Sequence, residues 1–584
     1  MPTSTCFAKS IPAPRILRLA AAALVLCASG CGGSKGGSSA PAGSGGGGGR
    51  FIDATYSEPK TFNFLLASEV SSTDHLALVF NPLVIQNPET FEFEPAVAES
   101  WKAEPDGKKW TFHLRKGAKW SDGHPLSADD VVFTFDLIYD PNIPATQRET
   151  LTFAGKHLSV RAIDPETVEI TSPVRIGPFL PAIAAAPILP KHKLEAIWKA
   201  GKFKTAWALD TPPAEMVGSG PFTIAKYTPG QSLIFKRNPY YWRKTPDGKP
   251  MPALEGGVTQ IVPDRNTLVL RFQSKETDYA WLRPEDWTPL QGGQSSGGYK
   301  TYDSGPSWSF TYLSFNVNPA NKKIPEYKRD WFRRKEFRQA MTYALDRDNM
   351  AATVLRGMGS SLVSPVAIAD KVYYNKKLRP IPYDPAKAAA LLAGMGLSKK
   401  NADGVLEDAA GHPVEFTLLT NNNNNIRLAL CTAIQENLRK IGVKVTIVPM
   451  EFNSLVEKLR ATYDWEADVL GFTSGAEPYT ARNIWMSSGI LHIWYPLQKQ
   501  PATPWEAEID KLFDAAASEP DVKKRKLLYD RWQEILVEQQ PMTLLVTENA
   551  LAAVRNRLAN VRPNPLPGPT LPLLRWNCYE FTEQ

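Results

Sequence analysis

Residues 96–136 read AVAESWKAEPDGKKWTFHLRKGAKWSDGHPLSADDVVFTFD. The opening residues, 96–101, suit a short helical piece, and Glu104-Pro-Asp-Gly107 a turn. Trp110, Phe112 and Leu114 then alternate with Thr111, His113 and Arg115, the period of a half-buried strand. Lys116-Gly117 ends that strand, and Trp120-Ser-Asp-Gly-His124 makes a second turn. Ser127 stands as an N-cap before Ala128, with Asp129 and Asp130 in the first turn favouring the helix dipole. The helix is expected to bury Val131, Val132, Phe135 and Leu137.

The same alternation of short strands and helices continues outward from this stretch, without internal repeats. Strands are expected at 168–170, 232–235, 310–316, 414–419 and 443–448, and helices at 330–343, 385–393, 426–440 and 523–538. The mixture argues an α/β chain built as adjacent lobes. With 584 residues, 43% hydrophobic and 22% charged, the chain is long enough for several domains and too apolar to be disordered. The net charge of +7 is spread along the chain. No basic run is interleaved with aromatics, which argues against nucleic acid as a partner.

The N-terminus reads as an export address. Lys9, Arg15 and Arg18 form a positive region without acids, followed by an apolar run at 19–28. Ten residues are too few for a membrane-spanning helix, which needs about 20. Ala28-Ser-Gly-Cys31 looks like a lipobox, with Ala28 where leucine is usual, so residues 1–30 are expected to leave and Cys31 to carry lipid. Residues 32–50 hold ten glycines, a flexible tether with a span of roughly 25 Å. Cys6 and Cys27 leave with the signal. Cys431 and Cys578 are expected as two buried free thiols, since they fall in different parts of the chain.

Catalytic patterns are weak. Gly293-Gln-Ser-Ser-Gly297 matches G-x-S-x-G, but a nucleophile elbow needs a buried strand before the serine and a helix after it. Here the surroundings read as a flexible surface loop. The seven histidines are scattered, no C-x₂-C occurs, and no phosphate-binding P-loop is present. No metal, cofactor or catalytic residue is therefore expected. Residues 421–425, a run of five asparagines, read as a polar ligand patch or, more simply, as a solvated loop between strand and helix.

The run from Trp101 through the DGK turn, TFHLRKGAKWSDG and ADDVVF resembles the signature of the peptide/nickel-type solute-binding proteins of ABC importers, the group that contains the oligopeptide-binding proteins. Further segments follow in that family's order. They are Glu58-Pro-Lys-Thr-Phe-Asn63, Gly218-Ser-Gly-Pro-Phe222, Pro229-Gly230, Arg237-Asn-Pro-Tyr-Tyr-Trp242, Phe337-Arg-Gln-Ala-Met-Thr-Tyr-Ala-Leu-Asp346, Tyr383-Asp-Pro-Ala-Lys387 and Ile434-Gln-Glu-Asn-Leu438. The resemblance spans roughly residues 51–560. It implies a two-lobed periplasmic-binding-protein-like fold of type II, cluster C, with a hinged ligand cleft. The first lobe would cover 51–308, with an extra subdomain at about 80–190, and the second 309–545. Residues 546–584 would return to the first lobe, with hinge crossings near 305–310 and 545–549.

The resemblance also implies where ligand lies. An extended peptide between the lobes would meet Ser68 and Val70 after the opening motif, Trp308 at the first crossing, and Phe452, Phe472, Thr473, Ser474 and Glu477 in the second lobe. Trp485 and Trp494 belong to an aromatic and polar segment suited to cover side chains or stack sugar rings, or to pack the lobe. Relatives hold the peptide's α-amino group with an aspartate in the 471–478 stretch. This chain has Ser474 and Gly475 there, with Glu477 the nearest acid. Either Glu477 reaches the same point, or the ligand has no free amino terminus there. The expected protein is a monomeric, lipid-anchored receptor on the periplasmic or cell-surface face of a bacterial membrane, capturing a peptide, a peptide-like solute or a sugar for an ABC permease. A ligand sensor for a membrane receptor is the competing reading; an exported hydrolase lacks a catalytic constellation.

Overall fold

Strand Lys109–Leu114 sits between two antiparallel neighbours, Ala98–Ala103 and Thr167–Thr171, with Ser159–Asp164 completing a four-stranded sheet. These relationships come from a computed structural model that describes residues 49–559 and 561, apart from 88, 89, 154, 246 and 247. The export signal, Cys31, nearly all of the tether and Cys578 lie outside the described residues. Phe112 and Leu114 are buried and His113 exposed, as the alternation requires.

The neighbouring strand corrects the helical reading of 96–101. Trp101 stands opposite Phe112 in the register, with ring centroids 6.5 Å apart. A cross-strand aromatic pair of this kind outweighs the weak local preference of AVAESW for helix.

Helix Ala128–Tyr139 starts after Ser127 as expected. It turns Phe133 inward with Val131, Phe135 and Leu137, whereas Val132 is half-buried. The two acids in its first turn also differ. Asp129 is exposed beside Lys191, but Asp130 is only 4% exposed. Its carboxylate accepts from the N–H groups of Ser127 and Lys191, both at 2.9 Å, and from Trp120 Nε1 at 3.2 Å. Asp130 therefore ties turn, helix and the 190 segment together, beyond any effect on the helix dipole.

Two further sheets frame the molecule. Arg50–Thr55, Gly256–Ile261, Ser232–Arg237 and Phe222–Thr228 form one, in that order. The larger runs Tyr279–Trp281, Met542–Arg555, Ser309–Phe315, Ala467–Thr473, Glu415–Asn421, Lys444–Met450. Strand Met542–Arg555 is long enough to serve both ends of it. Residues 542–546 pair with Ser309–Phe315, and residues 549–555 pair with Tyr299–Pro306 and Tyr279–Trp281. The result is a two-lobed α/β fold of the periplasmic-binding-protein type. Among the described residues, no helix is long and apolar enough to cross a membrane.

The remaining strand expectations hold to within a residue or two, as do helices Pro385–Gly394, Asn425–Lys440 and Val522–Gln539. The helix expected over 330–343 is two helices, Glu326–Arg333 and Lys335–Ala344, separated at Arg334 in an extended conformation. Arg338 Nη1 donates to the Phe332 and Arg333 carbonyls, satisfying the end of the first helix and stabilising the break. The 293–297 segment is not a flexible loop. It is a single helical turn, Gln294–Gly297, following helix Pro284–Gly292 and packed against Tyr299. No strand leads into it and Ser295 is exposed, so it has none of the geometry of a nucleophile elbow. Cys431 is a free, buried thiol on helix Asn425–Lys440, and burial pushes it up to about 12.

Candidate functional site

A cavity of about 460 Å³ opens where the two lobes face each other. One side is built from the end of strand Arg50–Thr55, the start of helix Val70–Leu76 and Trp281. The other comes from the ends of strands Glu415–Asn421 and Ala467–Thr473, helix Phe452–Glu457 and the 480–493 segment. Residues 304, 307–311 and 546–552 complete the lining. Loops at the carboxyl ends of strands supply many of these groups, the usual place for a ligand in an open α/β sheet.

Six of the expected residues reach this wall: Ser68, Val70, Trp308, Phe452, Phe472 and Thr473. Trp308 is 2% exposed, and its Nε1 has no hydrogen-bond partner among the described residues. Phe472 stacks on Tyr312 at 5.4 Å, which fixes its ring against the strand beneath.

Four expected residues do not line the cavity. Ser474 is buried, its N–H donating to the Trp308 carbonyl and its hydroxyl to the Pro365 carbonyl. Glu477 is 6% exposed, and its Oε2 accepts from Tyr373 Oη at 2.7 Å and from Arg525 Nη2 at 3.0 Å. The cation it compensates is thus Arg525 and not a ligand ammonium. Trp485 is core, 5.1 Å from Trp532 and 6.2 Å from Phe310. Trp494 is core as well, with Nε1 donating to Glu506 Oε1 at 3.1 Å. Burial would raise the Glu506 carboxyl, but hydrogen bonds from His492, Gln498 and Thr503 prevail and hold it down to about 2.

The structure adds wall residues beyond the expected ten, some from the asparagine run and some from elsewhere. Asn421 and Asn424 are 2% and 5% exposed, which corrects the solvated-loop reading of the asparagine run. Asn424 Oδ1 accepts from the Arg427 N–H at 3.0 Å and caps the following helix, while Asn421 Oδ1 accepts from Arg427 Nη1 at 2.9 Å. The placement of this run between a buried strand's carboxyl end and a helix start was the available signal. Arg460 had none. It enters from the single π-helical turn Lys458–Thr462, and its Nη1 donates to Ser68 Oγ at 2.6 Å across 392 residues of sequence. Burial draws its guanidinium pKa down.

The acidic and basic wall side chains are Glu69, Arg427, Arg460 and Glu548. Glu69 lies 4.0 Å from both Lys60 and Arg460, and Glu548 lies 3.6 Å from Arg265. Glu69, Arg460 and Glu548 are thus compensated by the protein itself, whereas Arg427 forms no ion pair among the described residues and donates to Asn421.

Comparison with known proteins settles the family. Residues 92–490, more than half of the chain, match the model of the bacterial extracellular solute-binding proteins, family 5 middle region. The chain belongs to this family. Its members are solute-binding proteins, and their fold accounts for the two lobes and the enclosed cavity. A probable ABC transporter-binding protein of Deinococcus radiodurans is 29% identical over 523 residues, covering 85% of this chain and 87% of that one. The oligopeptide-binding protein AppA of Bacillus subtilis, solved in complex with a nonapeptide, is 26% identical with a TM-score of 0.78, covering 92% of this chain and 99% of that one. The periplasmic binding protein MelB of Agrobacterium fabrum C58, solved with stachyose, has a TM-score of 0.80 at 22% identity, covering 93% of this chain and 86% of that one.

Proposed function

We propose that this chain is the solute receptor of an ABC importer: it encloses a small polar solute by lobe closure and delivers it to the permease. The observation that carries this reading is the cavity itself, walled by residues 55–71 and 281 on one side and 421–493 on the other. Its volume falls within the range of about 300–1,000 Å³ usual for small-molecule sites. Hydrogen bonds from Arg460 to Ser68 and from Asn423 Nδ2 to the Tyr56 carbonyl join the two sides, so closure and ligand enclosure are one event. A solute touching both sides stabilises the closed form, and the permease recognises that form.

In this reading the first lobe comprises 51–308, with an inserted subdomain at about 80–190, and the second comprises 309–545. The chain returns through 546–584, with hinges at 305–310 and 545–549. Residues 1–30 are the export signal, lipidated Cys31 anchors the chain at the extracytoplasmic face, and residues 32–50 are the tether. A monomer suffices, because the cavity walls come from one chain. The peptide held by the Bacillus subtilis relative supports a peptide or peptide-like cargo, and the stachyose of the Agrobacterium protein supports a sugar.

Native mass spectrometry of the protein purified from its producing cells tests the reading. A small molecule is expected to be released on denaturation, and its uptake is expected to cease when either the receptor or the permease is deleted. A protein that carries no small molecule, with uptake unchanged on its deletion, overturns the proposal.

A further inference from the structure

We infer that Arg427 is the point at which the cavity takes a carboxylate of its solute, through the Nε–Nη2 edge of the guanidinium; this rests on the solute-receptor reading above. Arg427 stands half-buried in the first turn of helix Asn425–Lys440 and lines the cavity. Its Nη1 donates to Asn421 Oδ1 at 2.9 Å, which holds the guanidinium by one end and leaves the other edge unused. Nε and Nη2 have no hydrogen-bond partner among the described residues, yet both keep accessible surface, unlike the enclosed nitrogens of Arg265. Gly471, also in the wall, leaves room for this edge: a Cβ there would stand 3.1 Å from Nη2. Asn424 adds a further donor beside it. Its Oδ1 accepts from the Arg427 N–H, and its Nδ2 donates to no described group. The start of a 16-residue helix at this wall contributes positive potential as well.

Charge balance argues the same way. Each acid of the wall has its cation, Glu69 in Lys60 and Arg460, Glu548 in Arg265. Arg427 has no carboxylate within ion-pair distance among the described residues. Asp468 is the buried acid whose field reaches it, but Ser314 Oγ donates to that carboxyl and burial raises it to about 7, so it offers only part of a charge at neutral pH. Closing the lobes over an uncompensated guanidinium is unfavourable, and an anion brought by the solute removes that cost. A carboxylate fits best: its two oxygens in one plane match the two parallel N–H groups of the free edge. A hydroxyl or amide oxygen brings no charge, an ammonium is repelled, and a doubly charged phosphate exceeds the one spare cation.

The test uses the full chain purified in detergent from its producing cells. The solute released on denaturation is converted from acid to primary amide with carbodiimide and ammonium. A mass change is expected, which reports a carboxyl group, and fragmentation tells a peptide's carboxylate from that of an acidic sugar. The released solute and its amide form are then returned to refolded protein in isothermal calorimetry. The wild type is expected to bind the acid about tenfold tighter than the amide. Arg427→Gln is expected to bind the two forms within about twofold of each other, and Arg427→Lys to fall between, with thermal unfolding checking that each variant folds. A purely structural role for Arg427 would weaken both forms alike and keep their ratio. Should Arg427→Gln fail to fold, the ratio is read from Arg427→Lys. A released solute without a carboxyl group, or a ratio that the substitution leaves at the wild-type value, overturns the inference and leaves the receptor reading intact. A wild-type protein that carries no small molecule removes the receptor reading and the inference with it.

Discussion

Arg525 and Glu477 face each other across 3.0 Å, each side chain only 6% exposed, with Tyr373 Oη donating to the same carboxylate oxygen. The pair belongs to the packing of helix Val522–Gln539 against the segment that follows strand Ala467–Thr473, and Glu477 does not line the cavity. Arg525 also donates through Nη1 to the Glu519 carbonyl, so the guanidinium is held from two directions. Breaking this pair should therefore be felt as stability. Arg525→Met is expected to cost about 3–5 kcal/mol, because it leaves a buried carboxylate uncompensated. Denaturant unfolding measures it. Removing both charges with Arg525→Met and Glu477→Gln should recover much of that loss, and a double-mutant cycle that shows no coupling contradicts the assignment.

An acid at Gly475, where the resemblance to the oligopeptide-binding proteins implies an aspartate, should not create a peptide site. In Gly475→Asp the new Cβ would press on Thr480 Oγ1, which donates to the Glu477 carbonyl at 2.8 Å. Forcing this contact apart is expected to cost about 1–3 kcal/mol in unfolding free energy. Calorimetry with trialanine is expected to show no gain in affinity; a gain with undiminished stability would mean that the loop accommodates the side chain.

Stability should fall as pH rises from about 4 to about 7, through buried acids. Burial, with repulsion from the Asp278 carboxylate added, raises Asp53 to about 7; burial likewise raises Asp468 to about 7. Between the unfolded pKa near 4 and the folded value, the unfolded chain releases a proton that the folded one keeps, so rising pH favours unfolding. Asp53→Asn mimics the protonated form. It is expected to add on the order of 1–3 kcal/mol at pH 8 and little at pH 4, and to flatten part of the slope, as read from denaturant unfolding at the two pH values. An equal effect at both would contradict a protonated Asp53.

The anchor is tested by Cys31→Ser. The substituted chain should fold as before but no longer incorporate labelled fatty acid or partition into detergent, because serine cannot form the thioether. A single acyl chain binds a membrane only marginally, so loss of the lipidated cysteine should release the protein from the membrane fraction. Labelling that persists in the variant would contradict lipidation at Cys31.

The sequence by itself determined strand Lys109–Leu114 and helix Ala128–Tyr139 of the signature stretch and most strands and helices elsewhere to within a residue or two, though not strand Ala98–Ala103 or the break at Arg334, and the family resemblance added six residues, Ser68 to Thr473, that line the cavity. These are legible because alternation, caps and turn residues act between near neighbours in the chain, and because the ordered motifs carry the lobes with them. It did not determine which polar groups meet the ligand. Glu477 was the nearest acid in sequence, yet Arg525, 48 residues away, takes its charge. Trp485 and Trp494 had the composition of a binding segment, but Trp532 and Glu506 close over them in the core. Ser68 was foreseen without Arg460, its partner 392 residues distant. Only the tertiary structure decided these points, because a buried charge is satisfied by whatever group packing brings within about 3 Å, and that proximity leaves no periodic trace along the chain.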